Sequence, residues 1–87
     1  MRNEPKPLTR TQLADVLART KTLAGAFNDD LSVTLVYVKR DGTTSSSTGK
    51  IDGFVGNAMM DTFSVNIVDT AKGIRTINVV RIKSIIF

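Results

Sequence analysis

The chain has 87 residues, 12 Lys/Arg against 8 Asp/Glu, a net charge of +4, and neither cysteine nor histidine. That length makes one domain and leaves no room for a second core. The missing residue types exclude disulfides, thiolate metal sites, thiol nucleophiles and the commonest general base.

The charge is uneven. Residues 1–30 carry five basic and four acidic side chains, whereas residues 31–87 carry seven and four, an excess of +3. Such an excess suits a nucleic-acid partner and equally suits simple solubility. No apolar run approaches the ~20 residues of a transmembrane helix. Met1 to Pro7 form neither a signal peptide nor a lipidation motif. Together with the absent cysteines, which fit a reducing compartment, these features predict a cytoplasmic protein without a membrane span.

Pro5 and Pro7 predict a loosely ordered tail over residues 1–8. A helix over about 9–27 follows. Thr9 is its N-cap, Gln12 completes a capping box, and Leu8 is placed to staple onto Leu13. Leu13, Val16, Leu17, Ala24 and Phe27 are expected on its apolar face, which would lid one open end of a sheet. Asn28-Asp29-Asp30 ends the helix, with Gly25 either a stop signal or a weak spot.

The remainder, about 31–87, reads as a sheet. Leu31 to Arg40 is the first strand, with Val33, Leu35 and Tyr37 on one face and Val36 and Val38 on the other. Asp41-Gly42 is a tight turn signal. Thr43 to Thr48, six hydroxyl residues in a row, read as either a polar edge strand or a flexible loop. Gly49 and Gly53 bracket a short apolar stretch, as they do where a strand bends or carries a bulge. Val55 to Met60 is a loop whose Met59-Met60 pair is expected to fill the core. Phe63, Val65 and Ile67 then alternate along a third strand, Thr70 to Gly73 turn, and Ile74 to Val80 runs back. After a one-turn break comes an apolar closing strand of Ile82, Ile85, Ile86 and Phe87. The sum is a mainly β chain with one N-terminal α-helix, its five antiparallel strands strongly bent into a small closed barrel.

Catalytic chemistry is not indicated. Asp41, Asp52, Asp61 and Asp69 each sit beside a turn or loop, where local backbone hydrogen bonds explain them. Gly49-Lys50-Ile51 lacks the spacing of a phosphate-binding loop. No metal or cofactor is implied, and the chain is not expected to be an enzyme.

The order of elements resembles the Sm-like barrel of Sm, Lsm and Hfq proteins. "VKRDGT" followed by "GKIDGF" is similar to that family's paired DG and G-x-I signature, and Ile82-Lys83-Ser84-Ile85 to its closing I-x-x-I. The resemblance covers residues 9–87 and looks most like YolD-like proteins, small Hfq-like chains of bacteria and their phages. Asp61-Thr62-Phe63-Ser64-Val65-Asn66 resembles the Sm Asp-x-aromatic-Met-Asn run, with its Asn one position late. Arg81-Ile82 stands where the family has Arg-Gly, and the Hfq histidine signature is missing. The resemblance implies single-stranded nucleic acid as ligand, RNA ahead of DNA, with Phe63, Asn66 and Arg81 as site positions. It also implies a homo-oligomer whose subunits meet edge to edge through their last strands.

Two functions follow. In the first, Lys39, Arg40, Lys50, Lys72, Arg75, Arg81 and Lys83 contact phosphates, and Tyr37 or Phe63 stacks on a base. In the second, the chain is a protein-interaction adaptor, and Ile82, Ile85, Ile86 and Phe87 form an unprotected edge that pairs with a neighbour.

Overall fold

A computed structural model describes residues 4–87, so Met1 to Asn3 of the expected tail lie outside the described residues. The chain forms α1 (Arg10–Asn28), β1 (Ser32–Val38), β2 (Thr44–Val55), β3 (Ser64–Asp69), β4 (Gly73–Asn78), a single 3-10 turn at Val79–Arg81, and β5 (Ile82–Ile86). All strand pairs are antiparallel, in the order β4-β3-β2-β1-β5.

The helix begins as its sequence dictates. The Thr9 hydroxyl accepts from the Gln12 amide and the Gln12 side chain accepts from the Thr9 amide, satisfying two donors that a helix start leaves orphaned. It ends in a Schellman arrangement. Leu31 N–H reaches the Ala26 carbonyl, Asp30 N–H reaches that of Phe27, and Asp30 takes the left-handed conformation (φ 55°). The buried face is Val16, Leu23 and Ala26, not the whole set expected. Leu17 and Phe27 stay about half exposed. Leu17 lies roughly 100° around the axis from Val16, which turns it off the sheet.

Segments read as irregular are tied down. Around Pro7, Lys6 and Asp61 exchange hydrogen bonds and Leu8 N–H donates to the Met59 carbonyl, forming a short antiparallel bridge with the loop before β3. Met59 joins that bridge through its carbonyl and is 54% exposed, so it is not the core filler expected. The hydroxyl run from Thr44 on is a strand and not a loop, and it is locally an edge. It forms the first half of β2 and pairs with β1 alone, because β3 first meets β2 at Gly49.

The two glycines of β2 do different work. A Cβ on Gly49 would run into the carbonyl oxygen of Val68 on β3. Gly53, at φ 145°, sits beside the register shift where Asp52 is the extra residue of a bulge. There β2 bends, and the sheet curls.

How far it curls follows from its connections. β4 and β5 occupy opposite edges, yet only the 3-10 turn joins them. In a flat sheet those edges would stand roughly 19 Å apart, at about 4.8 Å per strand. One 3-10 turn, rising about 2 Å per residue, spans about 6 Å. The edges therefore approach one another at that end. They do not hydrogen-bond, and the expected closure into a complete barrel is not made. The fully buried Val79, whose N–H donates to the Phe63 carbonyl at 2.9 Å, ties the start of the 3-10 turn to the residue just before β3, and β5 starts three residues later on the far side of β1. Leu35, Val65, Ile67, Ile77 and Ile82 fill the curled interior, and α1 covers it with Leu23. Ile82, expected at an oligomer interface, belongs to this core at 1% exposure.

Two glycine substitutions test this account by urea denaturation. Gly49→Ala should cost about 3 kcal/mol, the upper end for overpacking a filled site. Gly25→Ala, on the exposed side of α1 where a Cβ meets nothing within 4 Å, should add about 1 kcal/mol and raise Tm by about 4–8 °C.

Candidate nucleic-acid interface

Between β4, the 3-10 turn and the end of β1 with its hairpin lies a cleft of about 270 Å³. On β1, Val33, Leu35 and Tyr37 share the inner face. Val33 and Leu35 are buried, whereas Tyr37 reaches the mouth of the curl and is half-buried. On β4, Arg75 and Ile77 stand opposite Ile67 and Val65, so they too face inward. Ile77 completes the core, and Arg75 lies next to it on the same face where the edge opens to solvent. Tyr37, Lys39, Arg40, Arg75 and Arg81 thus line one cleft, and among the described residues no carboxylate lines it with them.

Local chemistry fixes the supporting turns. Lys39 N–H donates to the Thr43 carbonyl and Gly42 N–H to that of Lys39, with Gly42 at φ 89°. The Asp41 carboxylate accepts from the Thr43 hydroxyl at 2.6 Å and the Thr43 amide at 2.9 Å. These bonds, the hydroxyl first, hold its pKa below the usual value, with Lys39 adding to the effect. At the other wall, Asp69 accepts from the amides of Ala71 (2.8 Å) and Lys72 (3.0 Å), closing the turn that starts β4. The Ala71 bond is the main reason its pKa is also lowered.

Of the sequence-derived positions, Lys50, Phe63, Asn66 and Lys83 stand apart from the cleft. Lys50 pairs with Asp30 at 2.9 Å in an exposed ion pair, an interaction of small worth. Phe63 is enclosed at 7% exposure and stacks on Phe54, ring centroids 5.7 Å apart, so no base can reach it. Asn66 accepts the Thr76 hydroxyl across the β3–β4 ladder at 2.6 Å. Lys83 lies with Asp15 and Arg19 in a shallow groove beside α1. Two lining residues that the sequence reading overlooked are Thr76 and Asn78. They alternate with Arg75 and Ile77 along β4, which was the available signal.

No protein-family model, no curated protein and no solved structure matches the chain. No helix among the described residues is long and apolar enough to cross a membrane.

The Asp69 turn gives a pH test. Its folded-state pKa lies below the ordinary 3.8. The ionised carboxylate therefore adds stability above that pH, and the contribution disappears as pH falls through the folded-state value. Asp69→Asn should be less stable than the parent at pH 7, and the two should converge well below pH 3.8. Thermal melts across that range check it; a difference that does not shrink toward acid refutes the assignment.

Proposed function

We propose that this chain is a non-catalytic, Sm-like module of the cytoplasm that binds single-stranded nucleic acid, RNA ahead of DNA, in the cleft bounded by β4, the 3-10 turn and the β1 hairpin. The observation that carries this reading is the convergence of four cations, Lys39, Arg40, Arg75 and Arg81, from three separate elements around a half-buried tyrosine. Like charges so gathered repel one another, and a polyanion relieves that repulsion while releasing its own counterions. Tyr37 supplies a face on which one base can stack, a contact of about 1–3 kcal/mol.

Anisotropy titrations of labelled oligo-U, oligo-A and mixed single-stranded DNA at two salt concentrations test it. Binding should weaken steeply with salt, and three phosphate contacts would give a log–log slope of about −2. Arg75→Gln with Arg81→Gln should flatten that slope by about 1–1.5. Absence of binding at low salt refutes the proposal.

A second reading, self-association as an adaptor, has its own support. β4 and β5 are both unpaired on their outer sides. Ile74 (64%), Ile86 (53%) and Phe87 (67%) are exposed on or beside them. The two edges differ, so pairing β5 of one copy with β4 of the next is head-to-tail, giving a ring if the rotation closes. Light scattering should report a mass several times that of one chain. Ile86→Lys with Phe87→Lys, which charges the edge without touching the core, should reduce it to the monomer. A monomeric parent refutes this reading.

A further inference from the structure

We infer that the cleft grips the sugar–phosphate backbone of a single strand and stacks one base on Tyr37 without discriminating among bases. This rests on the nucleic-acid reading above and specifies its ligand class. Reading a base edge requires donors and acceptors that remain unspent. The two neutral polar residues at the cleft besides the tyrosine, Thr76 and Asn78, alternate with the inward-facing Arg75 and Ile77, so their side chains lie on the opposite face of β4 and are engaged there. The Thr76 hydroxyl donates to Asn66 Oδ1 at 2.6 Å. Asn78 Nδ2 donates to the Asp61 carbonyl at 3.0 Å, and its Oδ1 accepts from the Ser64 hydroxyl at 3.3 Å. Both side chains are turned to structural use by the strands beside them.

The remaining side-chain donors are cationic, and a phosphate satisfies these with charge as well as hydrogen bonds. Phe54 and Phe63 are stacked on each other, with Phe63 buried, which leaves Tyr37 as the aromatic of the cleft. At about 270 Å³ the space lies just below the usual range of small-molecule sites, which begins near ~300 Å³. It holds about one nucleotide, not several splayed bases.

The test compares the full chain's affinities for labelled single strands of equal length at one low salt concentration: oligo-U, oligo-A, oligo-C and an alternating guanine–adenine strand. Affinities within about threefold of one another are expected, since stacking tolerates every base. Tyr37→Phe, which keeps the ring and removes the hydroxyl, should move all four affinities by a common factor, so that no strand gains preference over another. Preference for one strand by tenfold or more overturns the inference while leaving nucleic-acid binding intact. Guanine is the sharpest case, because an arginine fork can engage its O6 and N7. A base preference that appears in the parent and vanishes in Tyr37→Phe overturns it equally, by assigning readout to the hydroxyl. If none of the strands binds, the nucleic-acid reading falls and this inference with it.

Discussion

Three residues carry the chain from one edge of a five-stranded sheet to the other. Few connections constrain a fold more tightly, because strands that are not neighbours must still come within reach of one 3-10 turn. The constraint is met by curvature. It is enforced at the turn by Val79, buried and hydrogen-bonded to the Phe63 carbonyl, and at the bend of β2 by the bulge beside Gly53. Loosen either and the edges separate, and the residues lining the cleft separate with them.

The cleft is thus a consequence of the curl, which brings β4 and the 3-10 turn up to the end of β1. Were it closed over, Arg75 would be buried beside Ile77 with no water around its charge, at heavy cost. Open, the gap lets an inward-facing arginine stay solvated. Tyr37 makes the matching compromise on β1, with its ring against the core and one side at the mouth. Both strands follow the ordinary period of two, and the site begins where the core stops enclosing that inner row.

Much of this was legible in residue order. The capping box of Thr9 and Gln12, the Asp41-Gly42 turn and the bend between Gly49 and Gly53 are local signals, and local geometry answers them. What could not be read depends on distant partners. Whether a curled sheet closes depends on how strands far apart in sequence meet, which no local pattern encodes. The helix face was misplaced because Leu17 and Leu23 are equally apolar, and only the position of the sheet chooses between them. Phe63 had the right residue type for stacking but lies inside, against Phe54, while Lys50 was spoken for by Asp30. The basic residues were visible as a set. Which of them gather depends on how the curl brings β4 and the 3-10 turn up to the end of β1.

Arg75 also has a plainer explanation. A charge pointing inward on an edge strand is a known means of deterring a neighbouring strand from adding there, since pairing would desolvate it. One such residue is enough for that purpose. Deterrence does not require Lys39 and Arg40 from the β1–β2 hairpin, nor Arg81 from the turn, brought to the same gap around an aromatic ring. Gathering like charges costs folding free energy wherever it occurs. That cost is recovered when an external anion occupies the gap, and a strand of phosphates, spaced and flexible, can meet several of the cations at once.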